Sequence, residues 1–343
     1  MGIKNLNRFL RNNCGDAIKF ISIKELSGKK IAIDISIYLY KFAADNTLIE
    51  NIYLMLSVFR FYNIIPIFVF DGKPPAEKKE LLEKRKKDKK DAEKEYTKLS
   101  EQLKSGNIDE DDRQEIMNNM DLLKKQFIYI NKDKIDSVKN LIRAYGATYY
   151  DAPEEADELC ASLVIKNKVW ACLSEDMDMF VYGCPRVLRY FSLLNHTVVI
   201  YNLNEILNNL GIKQKELREI CVLSGTDYNL NVVNNNINND NNNENKEIPN
   251  LFKTLKYFKK YHKADEYDKI SFYEWLNKNT DYIQNNILLN KIYKMFDISE
   301  TQIHNKIQIF DKIKIINGPI IYKDIQNILM EDGFIFPIKK NKI

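Results

Sequence analysis

Residues 169–180, VWACLSEDMDMF, join a short apolar run to a group of acidic side chains. The first five residues have the length and the apolar character of a buried strand. Asp176 and Asp178 follow two residues apart, so on an extended chain both point to the same side, whereas Glu175 has the opposite parity. Met177, between the two aspartates, is expected to point into the packed interior. The pattern predicts a buried sheet strand that delivers two carboxylates to a site at its end.

Three other short apolar runs also reach an acid, and each of them predicts a further strand. KKIAIDIS reaches Asp34, NIIPIFVFDG reaches Asp71, and GATYYDAPEE reaches Asp151. Helical patterns separate the runs, and the clearest amphipathic helix passes through Ile52 and Phe59. Helices between short hydrophobic strands are typical of a parallel sheet that is covered on both faces. The sequence therefore predicts an α/β fold with a mostly parallel central sheet flanked by helices.

Six acids fall at the ends of these strands or at the start of a helix, and a seventh, Asp227, follows VLSG. The set comprises Asp34, Asp71, Glu155, Asp157, Asp176, Asp178 and Asp227. Because ligands of an open parallel sheet bind beyond the carboxyl ends of its strands, these acids are predicted to meet at one edge. Single positions have simpler interpretations: Glu155 and Asp157 suit the first turn of a helix, and Asp71 suits a turn. Asp34 is harder to explain in that way, because the two residues after it continue its element.

The seven carboxylates would repel one another strongly at one edge of a low-dielectric site. Protons or cations must therefore neutralise them. Oxygen ligands without His or Cys suit the hard divalent ions Mg²⁺ and Mn²⁺. Two such ions about 3.5–4 Å apart promote in-line displacement at phosphate. The acid set thus predicts metal-dependent chemistry on a phosphate ester.

Residues 76–131 form a charged segment that is inserted between two strands of the predicted sheet. They have the pattern of two long helices around SGNIDE, and KRKKDKK (Lys84–Lys90) carries six basic residues and one acid. The simpler interpretation of such a run is a solvated helical face. Because the insertion interrupts an α/β domain next to the acids, it is also a candidate arch over the active edge of the sheet.

The last third of the chain is predicted to be mainly helical and shows no catalytic pattern. Residues 229–248 form an Asn-rich tract, which predicts a disordered loop. Leu251–Lys263 has a helical period, with an apolar stripe and five lysines that lie largely on other faces. The predicted organisation is an α/β domain in two parts, 1–75 and 132–228, with the insertion 76–131, the loop 229–248 and a helical region 249–343.

Composition and charge disfavour several classes of protein. The formal net charge of the 343 residues is only +4, so bulk charge does not require a polyanionic partner. The five cysteines are scattered without a CxxC pair, and the three histidines lie away from any Cys pair, which indicates reduced thiols and no zinc site. No apolar run approaches the ~20 residues of a membrane span, and the N-terminus lacks a signal-peptide core. We expect a soluble intracellular protein.

The motifs, taken in order, resemble those of the flap endonucleases and their XPG-type 5′ nuclease relatives. MGIKNL resembles the N-terminus of that family, IAIDISIYLYKF its first acidic motif and VFDGKPPAEKKELLEKR its second. APEEADELCA is similar to its Glu-Ala-Glu helix, with Asp157 in place of the second Glu, and SEDMDMFVYG to its Asp-x-Asp motif. LSGTDYN resembles its last acidic motif, so the resemblance covers residues 1–229, about two thirds of the chain. It implies a PIN-like 5′ nuclease fold with a charged helical arch.

The resemblance also implies roles for the matched residues. The seven acids would hold two divalent ions, Mg²⁺ with Mn²⁺ as a substitute. Lys78 and Arg85 would polarise the scissile phosphate, and their spacing of seven residues puts both on one side of a helix. Tyr40 would stack on a base, and Gly2 would be the processed N-terminus close to the DNA.

The implied substrate is branched or gapped DNA with a 5′ end. Lys84, Lys86 and Lys87 of the arch would guide the single-stranded 5′ end through its backbone charge. The implied reaction hydrolyses phosphodiesters of 5′-flap, gapped or nicked DNA and leaves a 5′-phosphate, in replication, repair or recombination. The protein would act as a monomer in the nucleus or, if it comes from a large DNA virus, at a host nuclear or cytoplasmic replication site.

Some features depart from the family pattern. No glycine hairpin follows Asp227, because the Asn-rich tract takes its place. The resemblance therefore does not extend to the hairpin with which the family holds duplex DNA and a K⁺ ion. Leu251–Lys263 is a candidate for replacement phosphate contacts, and a solvated face is the simpler interpretation. QNILMEDGF (Gln326–Phe334) lacks the paired aromatics of a sliding-clamp box, so clamp binding is not predicted.

Two other functions are compatible with the sequence. The missing hairpin would suit a catalytically silent nucleic-acid-binding protein on the same fold, although none of the acids is lost. A PIN-like ribonuclease would share the acids, but such enzymes usually lack a long arch. An aspartyl phosphatase would need a DxD motif where DISIY offers a single aspartate.

Overall fold

A seven-stranded sheet forms the centre of the computed structural model, which describes residues 2–104, 110–228, 249–267, 269–298 and 314–336. The strands are β1 (Ile18–Ser22), β2 (Lys30–Asp34), β3 (Ile65–Phe70), β4 (Thr148–Asp151), β5 (Ala171–Leu173), β6 (Arg186–Ser192) and β7 (Thr197–Asn202). Their order across the sheet is β1-β7-β6-β5-β2-β3-β4. The strands from β6 to β4 run parallel, whereas β7 and β1 are added antiparallel at one edge. The predicted mostly parallel sheet is confirmed.

Helices cover both faces of this sheet. In chain order they are α1 (Leu6–Asn13), α2 (Ser36–Ala44), α3 (Leu48–Phe61), α4 (Lys79–Lys104), α5 (Glu110–Lys124), α6 (Lys132–Ala144), α7 (Ala156–Ile165), α8 (Asp178–Tyr182), α9 (Leu203–Leu210), α10 (Gln214–Ser224), α11 (Leu251–Tyr261), α12 (Phe272–Asn279), α13 (Asn286–Met295) and α14 (Tyr322–Glu331).

Alternate residues of the central strands face two different hydrophobic cores. Ala32 of β2 and Val69 of β3 belong to the core that is shared with α1 and α7 to α13. Ile33 and Phe68, their neighbours in sequence, belong to the core that is shared with α2, α3, α6 and α14. A strand that is buried on both faces needs a continuous apolar run, which explains the runs in the sequence.

Two local predictions at the strand ends are wrong. β2 ends at Asp34 and α2 begins at Ser36, so the element does not continue beyond the acid. β5 ends at Leu173, and Asp178 is the first residue of α8, so Asp176 and Asp178 do not share one side of an extended strand. In both places a strand is followed closely by a helix, which turns the chain at the carboxyl end of the sheet.

The helices of the charged segment and the C-terminal helix α14 pack against different neighbours. α4 and α5 pack together as a helical hairpin, and the residues between them, 105–109, lie outside the described residues. α14 packs against α6, and its Ile325 and Leu329 are buried in the same core as α3. The tract 229–248, for which we predicted a disordered loop, also lies outside the described residues. None of the described helices has the length and apolarity that a membrane crossing requires.

Candidate active site

The acids predicted from the sequence lie at the carboxyl ends of neighbouring strands and on the helices beside them. Asp34 is the last residue of β2, Asp71 follows β3, and Asp176 follows β5; the three strands are adjacent in the order β5-β2-β3. Glu155 is the N-cap residue of α7, and Asp157 lies in its first turn. Asp178 is the first residue of α8, and Asp227 follows the end of α10. The fold therefore brings the predicted acids to one edge of the sheet.

Two serines link three of these acids across the strand ends. Ser36 donates its backbone N–H to Asp34 Oδ1 at 3.3 Å and its hydroxyl to Asp71. Ser174 donates its hydroxyl to Asp34 Oδ2 at 2.9 Å and accepts the backbone N–H of Asp176 at 3.1 Å. We did not identify these serines from the sequence. Their signal was the spacing of two residues from an aspartate, which is typical of local side-chain turns.

Asp178 occupies an enclosed part of the site. It is only 2% exposed, its N–H donates to Asp176 Oδ1 at 2.9 Å, and its own Oδ1 has no hydrogen-bond partner among the described residues. Gly2 packs against both aspartates, because a Cβ atom added there would lie 2.5 Å from Oδ1 of each. Gly2 also has a φ of +74°, a backbone conformation in which any residue other than glycine would be strained. A glycine is therefore required beside these two carboxylates.

Burial and mutual repulsion favour the protonated form of several acids. Burial, reinforced by Asp71 and Asp176, raises the pKa of Asp34 to about 7. Burial also raises the pKa of Asp157 and of Asp178 well above the ordinary value, and the surrounding carboxylates add to both shifts. Full ionisation of the cluster at neutral pH therefore requires positive charge.

A buried lysine supplies part of that charge. Lys78 Nζ lies 2.6 Å from Glu155 Oε1 and 4.8 Å from the centre of the Tyr228 ring, and the Tyr228 hydroxyl donates to Glu155. Burial opposes the charged form of Lys78, but Asp157 and Glu155 outweigh it and raise the pKa of the ammonium group. We did not predict a role for Tyr228, although it directly follows Asp227 in LSGTDYN.

The helix α4 connects the charged segment to the site. Arg85 Nη2 lies 2.9 Å from Asp227 Oδ2, which joins this helix to the last of the acids. Tyr40 on α2 is half exposed, and Lys89 Nζ of α4 lies 4.9 Å from the centre of its ring. The remaining predicted basic residues are exposed on α4; they are Lys84, Lys86 and Lys87. Their roles, and those of Tyr40 and Gly2, stay predictions.

The donor set suits a hard divalent cation, although its side chains are not preformed around one. Within the described ranges, no group of three or more His, Cys, Asp or Glu side chains is arranged as a metal-binding cluster. Glu155 instead forms an ion pair with Lys78, and Asp227 forms one with Arg85. Oδ1 of buried Asp178 has no hydrogen-bond partner in the part of the chain that the structure describes, and it lies among other carboxylates, so it provides an oxygen that a cation would satisfy. The residues fit a divalent ion if side chains rearrange when it binds.

Comparisons with known families match the two parts of the chain that carry the acids. The XPG N-terminal domain matches residues 1–92, and the XPG I-region matches residues 146–227. The chain is 31% identical to flap endonuclease 1 of Glossina morsitans morsitans over 246 residues. The match covers 66% of this chain and 61% of that relative, so the chain spans about three fifths of the length of the curated relatives it matches.

Solved structures share the fold over nearly the whole chain. The catalytic core of Rad2 in complex with a DNA substrate is 21% identical, with a TM-score of 0.58 over 96% of this chain and 94% of that one. The Holliday junction-resolving enzyme GEN1, in complex with product DNA and Mg²⁺, is 17% identical, with a TM-score of 0.57 over 96% of this chain and 73% of that one. The predicted PIN-like 5′ nuclease fold is confirmed.

Proposed function

This chain belongs to the XPG family, and on that basis we propose that it is a divalent-metal-dependent, structure-specific 5′ nuclease. It would hydrolyse phosphodiesters of 5′-flap, gapped or nicked DNA and leave a 5′-phosphate, in DNA replication, repair or recombination. The name of its relative, flap endonuclease 1, supports this activity, as do the Rad2 and GEN1 complexes with DNA.

The observation that carries the proposal is the convergence of the acids with Lys78 and Arg85 at one edge of the sheet. A protein that only bound nucleic acid would gain nothing from the buried carboxylate of Asp178, because an unpaired polar atom costs stability. The same carboxylate is useful to an enzyme that must concentrate cations beside a phosphate.

The residues of the chain have separable roles in the proposed reaction. The seven acids would hold the divalent ions, which when bound would supply Lewis-acid chemistry at the phosphate. Lys78 keeps its proton because the neighbouring acids raise its pKa, so it can donate a hydrogen bond to a phosphate oxygen. Arg85 would exchange Asp227 for the phosphate and stabilise the negative charge that develops there.

The surface around the acids suits a single-stranded 5′ end that emerges from a duplex. Tyr40 offers an exposed aromatic face on which a base can stack. The exposed lysines of α4 would attract the strand through its backbone charge, and the exposed lysines of α11 would contact duplex phosphates. Gly2 would lie close to the cleaved strand, since it packs against Asp176 and Asp178.

The number of ions and the assembly state complete the proposal. We propose two Mg²⁺ ions, with Mn²⁺ as a substitute, because seven carboxylates carry more charge than one divalent ion neutralises. We further propose a monomer that acts in the nucleus or at a viral replication site in a host cell. Calorimetric titration with Mn²⁺ measures the number of ions, light scattering measures the mass in solution, and imaging of the tagged protein in its own cells tests the location.

The decisive experiment is a cleavage assay on labelled 5′-flap, gapped and nicked duplexes in Mg²⁺. The wild-type protein should cut at least one of them, and Asp176→Ala should not. Inactivity on every DNA, together with no Mg²⁺-dependent shift in melting temperature, would favour a silent binding protein. Preferential cutting of the matched RNA flap would favour a ribonuclease.

A further inference from the structure

A buried arginine from the neighbouring strand holds the turn that carries Asp176. Arg189, on β6, is 5% exposed; its Nη2 donates to the Glu175 carbonyl at 2.8 Å, and its Nε lies 3.6 Å from Glu175 Oε2. Its Nη1 donates to Met177 Sδ at 2.9 Å. A single guanidinium therefore contacts the residues on both sides of Asp176.

An irregularity in β6 directly after this arginine makes a further contact with the turn. The register between β6 and β7 shifts between Arg189 and Ser192, and Tyr190 has a φ of +56°. A large side chain at positive φ is strained, and β-bulges of this kind change the direction of side chains next to active sites. The N–H of Tyr190 donates to Glu175 Oε1 at 2.5 Å. The bulge thus forms a second link to the turn.

The N-terminal helix α1 fixes the same guanidinium from the other side. Asn7 Oδ1 accepts a hydrogen bond from Arg189 Nη1 at 2.9 Å, and Asn7 Nδ2 donates to the Tyr190 hydroxyl at 2.7 Å. Gly2, in the same N-terminal segment, packs against Asp176. Arg189 therefore lies where α1, β6 and the turn meet.

From these contacts we infer that Arg189 is a positioning residue, which fixes the turn that presents Asp176 and Asp178 to the site. Glu175 is its counter-ion, which explains why an acid beside the two aspartates does not face the site. The catalytic consequence of this inference rests on the proposed function, whereas the positional claim rests on the contacts alone. Groups that orient metal-binding side chains typically change metal affinity or activity by 10–100-fold when they are removed.

The first test measures the turn without any catalysis. Hydrogen exchange of the segment 171–180 in the metal-free protein should become faster in Arg189→Met, because the turn loses its contacts on both sides of Asp176. Arg186→Met is the matched control, since Arg186 lies on the same strand and donates to the Trp170 carbonyl at 2.6 Å, at the other end of β5. Equal exchange of this segment in the wild type and Arg189→Met overturns the inference.

The second test measures the consequence for the site. Arg189→Met should weaken Mn²⁺ binding in calorimetry by roughly 10–100-fold and lower kcat on a DNA flap by a similar factor, with KM for the DNA unchanged. Arg186→Met should stay within about twofold of the wild type. A merely structural arginine would lower the melting temperature of the metal-free protein and leave the Mn²⁺ affinity of the folded fraction unchanged, which also overturns the inference.

Two milder variants serve if Arg189→Met does not fold. Arg189→Lys keeps the charge but replaces the planar guanidinium, whose separate nitrogens contact Asn7, Met177 and Glu175, by a single ammonium group. Glu175→Gln removes the counter-ion, and both variants should give smaller losses of Mn²⁺ affinity in the same direction. A wild-type protein that binds Mn²⁺ but cuts no DNA contradicts the proposed function only, because exchange and metal affinity still decide the role of Arg189. Unchanged exchange and affinity in both variants contradict the role of Arg189 only.

Discussion

The carboxylate of Asp178 meets opposing requirements from folding and from chemistry. Burial and the neighbouring Asp176 raise its pKa, and its Oδ1 is unpartnered among the described residues. We predict that Asp178→Asn stabilises the metal-free protein by about 1 kcal/mol, since on folding Asp178 must either bury a charge or take up a proton, and Asn avoids both costs while keeping the shape. The same change should lower kcat on a 5′-flap duplex by roughly 10²–10³-fold. Thermal unfolding in EDTA and cleavage in Mg²⁺ measure the two effects.

Asp151 provides a matched control for this prediction. It is the last residue of β4, it is exposed, and it pairs with Lys139 at 2.5 Å. Asp151→Asn should change kcat by less than about twofold and should not stabilise the protein, because surface changes usually stay within ~0.5 kcal/mol. Strong destabilisation of the metal-free protein by Asp178→Asn would show instead that this acid holds the structure together.

Arg85 and Lys84 allow a second comparison between neighbouring side chains. Both are basic and exposed on α4, but only Arg85 is seen to pair with Asp227. We predict that Arg85→Ala lowers single-turnover cleavage by roughly 10²–10³-fold, since it loses charge stabilisation at the phosphate. Lys84→Ala should weaken DNA binding modestly and reduce its salt dependence, with little change in the cleavage rate. Equal effects of the two changes on the cleavage rate would contradict the assigned role of Arg85.

The sequence allowed the acids to be predicted more completely than their partners. Each acid stands next to an apolar run or a helix start, so its position is visible locally. Ser174 and Asp34 are 140 residues apart, and Arg189 and Asn7 are 182 residues apart, so their contacts depend on which strands become neighbours in the sheet. The local pattern also misplaced Asp178, because the start of a five-residue helix has no periodicity that a short stretch can reveal.

At the scale of whole elements, the sequence pattern identified the strands that are buried on both faces. β2, β3 and β5 are continuous apolar runs at the centre of the sheet. β1 (IKFIS) was missed because polar residues interrupt its short apolar pattern; exposure at an edge is not the reason, since β4, at the other edge, also lacks a fully buried residue and was predicted. β6 and β7 were missed because charged and polar residues interrupt their apolar pattern, as in RVLRYFS. Antiparallel additions at an edge need less apolar surface, so their signal is weaker.

The packing of α10 against α12 gives a prediction about pH. Glu219 of α10 is almost fully buried, and burial raises its pKa to about 7 from an ordinary value of 4.5. Between those pH values Glu219 keeps its proton in the folded protein but has released it in the unfolded chain. The contribution of Glu219 to the free energy of unfolding is therefore fully present below about pH 4.5 and is lost as the pH rises through 7. Glu219→Gln should therefore become more stable relative to the wild type as the pH rises from about 5 to 8.

Urea unfolding in EDTA at several pH values measures this difference. Glu274→Gln is the control on the facing helix α12, because hydrogen bonds from Ser271 lower the pKa of Glu274. Glu274 stays ionised in both states over this range, so the difference between Glu274→Gln and the wild type should not depend on pH above about 5. A Glu219→Gln curve parallel to that of the wild type would show that Glu219 is already ionised in the folded protein.

For the molecule as a whole, residues 314–318 of the C-terminal segment lie at the amino ends of β3 and β4, away from the strand ends that carry the acids. Asn317 Nδ2 donates to the Ile64 carbonyl at 2.8 Å, just before β3, and the Gly318 N–H donates to the Gly146 carbonyl at 2.7 Å, just before β4. Both contacts are at the amino ends of strands whose carboxyl ends face the site. This placement could not be predicted from the sequence, because QNILMEDGF has an ordinary amphipathic pattern that does not specify which element it packs against.

This separation allows stability and activity to be changed independently. Leu329 of α14 is 2% exposed in the core shared with α3 and α6, whereas its neighbour Met330 is 55% exposed. We predict that Leu329→Ala destabilises the protein by about 2–5 kcal/mol, through lost burial and the cavity that remains. Because α14 packs against α6, and the segment just before it contacts the chain at the amino ends of β3 and β4, kcat on a flap duplex measured well below the melting temperature should stay within about twofold of the wild type. Met330→Ala should leave both quantities unchanged. If kcat of the folded Leu329→Ala protein falls by clearly more than twofold, the C-terminal segment is instead coupled to the acids through the sheet.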